Sequence, residues 1–357
     1  MPTLPSRKPS YDRRHRVPSR DGWPLAIYEY EPRAGERPIP VLCVHGANCR
    51  YGIYDGGLGF GLAPWLAARG FHVFAVDLRG RGLSAPRKLL ARTTALVGKG
   101  WTLGDFWTKD LPTAFDFALT RSCAVQLDYV GHSLGGMLGL ELVERTQDRR
   151  IRRIVTVGSG DARAMMVSDP NPGEPENSRA ASVYVGALLA PFALSSRYTP
   201  IHWAARMGAR MLHLAPPETL RSMLSMLMNT DNMDNDVLDF FLSTCLAGVS
   251  SKKFWSYGAL YRRSHERAAA AKRHTFPTLM LAGGADRLNS VRKVRETFSR
   301  CTHPDSRLIE LSRAAGASAD YGHVDLLLGK RVEQEVFPSI GDWLAVGNAL
   351  RLASAAQ

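Results

Sequence analysis

Short apolar runs alternate along this chain with longer segments of helical periodicity. Val41–Val44, which leads into His45-Gly46, is apolar at every position and stops at a glycine, as a strand buried on both faces does. Phe71–Leu78, Val125–Val130, Ile151–Val157, Phe276–Gly284 and Arg307–Leu311 are predicted as further strands. Between them Leu58–Arg69 reads as a helix stopped by Gly70, and Leu134–Thr146 and Val291–Cys301 read as helices. Asp105–Arg121 is helical with a local disturbance at Pro112, which lacks the N–H a helix interior needs. A last helix begins near Lys330. Ahead of all these, His15–Val17 and Trp23–Tyr30 flank the turn Asp21-Gly22 and predict a hairpin.

Strands alternating with helices predict a mostly parallel, doubly wound α/β sheet. The alternation stops between Asp161 and Thr275, which read mainly as helices and loops, and then resumes. One α/β core built from residues 11–160 and 276–350 explains this better than two sequential domains. Residues 161–275 are then a helical cap or lid inserted between two late strands, and residues 1–10 a flexible N-terminal segment.

The chain has 357 residues, 45% hydrophobic and 22% charged, close to the globular average, which excludes disorder and collagen-like repeats. Lys and Arg exceed Asp and Glu by 13, but the basic clusters are interspersed with acids and apolar residues, without the aromatic-and-basic stripe a nucleic-acid groove needs. No nucleic-acid partner is expected; attraction to an anionic lipid surface remains as the other use of the charge. Five widely spaced cysteines without a Cys-x-x-Cys fit reduced, buried thiols. The arginine- and proline-rich start is followed by no apolar stretch, and the uncharged run Ala180–Ser196 is too short to span a membrane, so a cytoplasmic protein is expected.

Val130-Gly131-His132-Ser133-Leu134-Gly135-Gly136 joins a predicted strand to a predicted helix, the context of a nucleophile elbow. Glycines at 131 and 135 let the backbones approach so that the serine hydroxyl stands exposed, and the helix N-terminus favours developing negative charge. His45-Gly46-Ala47 closes an earlier strand. The backbone N–H groups of Ala47 and Leu134 are the candidate donors to a tetrahedral oxygen.

Asp77-Leu-Arg79-Gly80-Arg-Gly82-Leu-Ser84 closes the next strand. With this loop, the elbow and a late histidine in that order, the chain resembles the α/β-hydrolases from about Val41 to Leu344. Asp110-Leu-Pro112, Tyr129-Val-Gly-His-Ser133 and Tyr321-Gly-His-Val-Asp-Leu-Leu-Leu-Gly329 make it most similar to the gastric and lysosomal acid-lipase group. The resemblance implies the chain order Ser, Asp, His for a triad. Ser133 is the nucleophile, Asp286 the acid after the cap, and His323 the general base. Asp161, at the end of the strand before the cap, is the rival acid. His45 and His132 are read as loop-holding residues. No histidine spacing suggests a metal site, and no glycine pattern suggests a nucleotide; no cofactor is expected.

These residues imply a serine hydrolase acting on small acyl esters through an acyl-enzyme. An acyltransferase with the same triad and an alcohol or thiol acceptor is the alternative, and a binding protein on the same fold is the reading from a different class. Eight of eleven methionines fall in the cap. Met223 and Met226 are the candidate acyl-binding residues, because a flexible thioether wall fits chains of several lengths. The plainer reading, that they pack the cap onto the sheet, stands beside it.

Overall fold

Alternation of side chains decides how the sheet is covered. The computed structural model of the chain describes residues 8–35, 37–57, 59–85, 101–162, 198–199, 224–247, 249–250 and 273–354. Its strands are β1 (Arg13–Pro18), β2 (Pro24–Tyr30), β3 (Val41–Val44), β4 (Val73–Asp77), β5 (Leu127–His132), β6 (Ile151–Val157), β7 (Tyr198–Thr199), β8 (Val249–Ser250), β9 (Thr278–Gly283) and β10 (Arg307–Leu311). Eight of them make one sheet in the order β1-β2-β4-β3-β5-β6-β9-β10, while β7 and β8 pair separately. β1 and β2 run antiparallel to their neighbours and every other pairing in the large sheet is parallel. The expected fold is the one observed.

Val41, Cys43, Val73, Ala75, Val155 and Val157 point into one apolar layer, and Leu42, Val44, Phe74, Val76 and Ile154 into the other. The first layer holds helix Leu62–Ala67, the start of helix Phe337–Ser354 and the segment Leu224–Cys245. The second holds helices Leu111–Arg121, Leu134–Thr146 and Val291–Phe298. Strands with both faces covered need no polar alternation, which is why their sequences read as unbroken apolar runs.

The order reverses beside β3, whose neighbours are β4 on one side and β5 on the other. Such a switch point opens a crevice at the carboxyl ends of the strands. Pro112 has the local effect expected of it. The five residues Phe106–Asp110 form a π turn, with Leu111 donating to the Phe106 carbonyl, before a regular helix begins at Leu111.

Most of the predicted cap, including Ala180–Ser196, Met165, Met166, Met207, Met211 and Met223, lies outside the described residues. Its described part packs on the core. Met228 and Met233 are buried with Val237, Phe241 and Cys245, and the Ala247 amide donates to the Asn48 carbonyl at 2.8 Å. Of the five free thiols, Cys43, Cys49 and Cys245 are buried and Cys301 is half-buried, while Cys123, just after the helix Leu111–Arg121 at a φ of 49°, is exposed, contrary to expectation. Among the described residues no helix is long and apolar enough to cross a membrane.

The loop after β4 is anchored by Arg79, a buried residue. Its Nε donates to Asp110 at 2.8 Å, its own amide donates to the same carboxylate at 2.9 Å, and its two terminal nitrogens reach Asp21 at 2.9 and 3.0 Å. Removing one member of a buried charge group leaves the others uncompensated, at a cost of about 3–5 kcal/mol. Arg79→Met should lower the unfolding free energy by about that much in urea denaturation at neutral pH; a loss near zero would show that the carboxylates find other partners. Hydrogen bonding from Arg79 also holds the Asp21 carboxyl well below its ordinary 3.8. A depressed carboxylate stabilises the fold above that ordinary value, and the contribution is lost as pH falls below it. Asp21→Asn should therefore flatten the acid limb of the stability profile, and an unchanged limb would take Asp21 out of the balance.

Candidate active site

Ser133 sits where β5 turns into helix Leu134–Thr146, with φ 52° and ψ −120°. A serine in this region costs about 1–3 kcal/mol, so its neighbours must hold it there. The Ser133 amide donates to the Val157 carbonyl at 3.0 Å, and the Ser159 hydroxyl donates to the Ser133 carbonyl at 2.7 Å. A Cβ at Gly135 would collide with the Val44 carbonyl, so only glycine lets the helix approach β3 this closely. The Tyr129 hydroxyl locks the same turn by donating to the Gly135 carbonyl at 2.6 Å.

His323 lies on the loop after β10, and Asp286 on the loop after β9. His323 Nδ1 and Asp286 Oδ2 are 2.7 Å apart, with both side chains buried. A carboxylate can only accept, so Nδ1 carries the proton and Nε2 is left as the basic nitrogen. Asp286 is itself oriented: its Oδ1 accepts from the amides of Leu288 and Asn289 at 2.9 and 2.8 Å. The rival acid is elsewhere. Asp161 Oδ2 is 2.5 Å from Arg300 and 3.7 Å from His274. Glu144, Asp161 and His274 are also close enough together to share an ion, but Arg300 already supplies a cation to that group.

Two further histidines border the serine, and both hold loops as expected. His45 Nε2 accepts from the Leu78 amide at 3.1 Å, and its Nδ1 lies 2.8 Å from the Gly46 carbonyl. His132 Nε2 donates to the His323 carbonyl at 3.1 Å, and the two rings are 4.7 Å apart. Burial, reinforced by the charge of His323, pushes the His132 pKa far below its ordinary value, so His132 stays neutral.

The candidate oxyanion donors lie on either side of the serine. Leu134 is the first residue of its helix, so its N–H has no acceptor within that helix. A Cβ placed on Gly46 would come 3.2 Å from Ser133 Cβ, which brings the His45–Ala47 turn against Ser133. The Ala47 carbonyl accepts from the Arg81 guanidinium. Met226 is half-buried in the turn before Met228, while Met223 lies outside the described residues.

Three residues of the site were not read from the sequence. Gly158, with φ 57°, ends β6 where any side chain would meet His323 Nδ1 at 3.1 Å and Asp286 Oδ2 at 3.2 Å. Ser159 holds the elbow, and Asn289 Nδ2 donates to the Gly158 carbonyl at 2.9 Å. A glycine pair at a strand end, Gly158-Ser-Gly160, was the available signal; nothing local marks Asn289.

A parallel sheet with a serine on a strained strand-to-helix turn, and a His–Asp pair on later strand ends, defines the α/β-hydrolase class. Within it, the chain belongs to the Hydrolase_4 family, described as serine aminopeptidase, S33, which it matches over residues 37–315. No curated protein matches the sequence. Among solved structures, a soluble variant of monoglyceride lipase from Saccharomyces cerevisiae is similar at TM-score 0.62 and 16% identity, covering 96% of this chain and 97% of that one. The Cif epoxide hydrolase from Acinetobacter nosocomialis gives 0.58 and 18%, over 93% and 88%. The Paleococcus ferrophilus monoacylglycerol lipase gives 0.56 and 18%, over 90% and 98%. At these identities the likeness establishes the fold, on which different chemistries occur.

The two acids are separable by experiment. Asp286→Asn keeps the shape but favours the wrong imidazole tautomer, and should slow fluorophosphonate labelling of the protein by about 10³–10⁴-fold. Asp161→Asn should leave the labelling rate of folded protein within about tenfold, because Asp161 touches Arg300 rather than His323. The reverse ranking would move the acid to the strand before the cap.

Proposed function

We propose that the protein is a serine hydrolase that cleaves carboxylic esters through an acyl-enzyme on Ser133. The observation that carries this reading is the 2.7 Å His323–Asp286 pair, whose imidazole lies 4.7 Å from the ring of His132, the residue before a serine held at φ 52° on an elbow. The motif around His323 and the elbow, similar to those of acid lipases, supports ester chemistry. So do the titles of the monoglyceride and monoacylglycerol lipases that share the fold.

In this mechanism Ser133 Oγ attacks the acyl carbonyl while His323 Nε2 takes its proton. Asp286 stabilises the imidazolium through Nδ1–H. The Ala47 and Leu134 amides hold the tetrahedral oxyanion, and removing one such donor costs about 10²–10³ in turnover. His323 then protonates the leaving alkoxide. A water, deprotonated by the same nitrogen, attacks the acyl-enzyme and releases the acid and free Ser133. His132 stays neutral, so the positive charge of the transition state develops at His323 alone.

Ser133→Ala should abolish both ester turnover and fluorophosphonate labelling, and labelling that survives would sink the nucleophile assignment. Partition of the acyl group between water and added alcohol separates hydrolysis from transfer. For substrate class we propose an acyl pocket under the segment carrying Met226. Each buried methylene then adds up to ~0.8 kcal/mol until the pocket is full. Turnover of p-nitrophenyl esters should rise to a medium-chain optimum that Met226→Trp shortens. A profile falling steadily from acetate would show that the segment does not select for acyl length.

A further inference from the structure

The loop that carries His323 is fastened to the segment Leu224–Asn232, which lies between β6 and β9 in the chain, as well as to the sheet. The Val324 amide donates to the Leu227 carbonyl at 2.9 Å, and the Lys330 amide donates to the Asn232 carbonyl at 2.8 Å. Asn229 Nδ2 donates to the Asp320 carbonyl at 2.9 Å. Contact is close enough that a Cβ on Gly322 would lie 2.6 Å from the Asn229 nitrogen.

At the centre of this seam is Asp325, two residues after the base and fully buried. Its Oδ1 accepts from the Asn229 amide at 3.0 Å. Its Oδ2 accepts from Asn232 Nδ2 at 2.9 Å and from the Gly322 amide at 3.0 Å. Among the described residues no cation forms an ion pair with it, so neutral donors alone compensate its burial. A buried acceptor held only by directed bonds fixes position, since every donor must point at it. Two of those donors belong to the segment that also carries Met226, and the third is the residue before His323.

From this juxtaposition we infer that Asp325 is a positioning residue for the base: it clamps the His323 loop to the segment Leu224–Asn232. The place of His323 Nε2 is therefore set by the segment Leu224–Asn232 as well as by Asp286. The inference rests on the reading of His323 as general base. A displacement of about 1 Å at a reacting group costs up to roughly a hundredfold in rate, which gives the clamp a measurable consequence.

The test uses the full chain and three readouts: the rate of fluorophosphonate labelling, kcat and KM on a p-nitrophenyl ester, and Tm. Asp325→Asn sets an amide N–H2 against the donors of this seam. It should lower kcat and the labelling rate by roughly ten- to a hundredfold with KM within about twofold. Asn232→Ala, which removes a single donor, should give a smaller loss of the same kind and serves if Asp325→Asn does not fold. The exchange N232D/D325N restores the pair with donor and acceptor swapped, and should recover part of the rate lost in Asp325→Asn. Wild-type labelling rates in the single variants, or losses that track only the folded fraction with no recovery in the exchange, would overturn the clamp. If the wild-type protein labels but cleaves no ester, the proposed ester chemistry fails instead, and the labelling comparison still decides the clamp.

Discussion

The site depends on one unfavourable backbone conformation. Ser133 is held at φ 52° and ψ −120°, a region that most residues avoid. Three interactions offset that strain: its amide on Val157, the Ser159 hydroxyl on its carbonyl, and Tyr129 on the next turn of the helix. They draw on β5, β6 and the helix Leu134–Thr146, so the fold as a whole holds the serine in that conformation. The absence of a Cβ at Gly135 lets the helix approach β3, and the bare Gly46 lies against Ser133.

Charge at the site is equally constrained. His132 precedes Ser133 and its ring lies 4.7 Å from that of His323, so two imidazolium ions there would repel each other in a weakly polarisable interior. Burial keeps His132 neutral. Of these two rings, His323 has a carboxylate on its Nδ1. In the proposed mechanism a proton taken from Ser133 goes to that ring.

Much of this was legible in the sequence, for identifiable reasons. Leu134–Thr146, Ile151–Val157 and Arg307–Leu311 were read with their observed limits, because apolar runs and a glycine-rich helix start mark them locally. Ser133, Asp286 and His323 followed from motif and chain order, and the structure brings the last two into contact across 37 residues. Contacts without a local pattern were not legible. Asp325 meets Asn232 across 93 residues and Asn229 across 96, and nothing in a run of asparagines announces a carboxylate that far away. The exposed Cys123 was misread because its burial depends on where a helix ends, which composition does not report.

The most direct measurement of the central claim is where an acyl group rests during turnover. Rapid acid quench of the wild-type protein with a slowly deacylating ester, followed by peptide mass spectrometry, reads that position. A single acyl adduct on the peptide containing Ser133, formed within the first turnover, is the expected result. An adduct on any other residue, or full turnover with none, would contradict it.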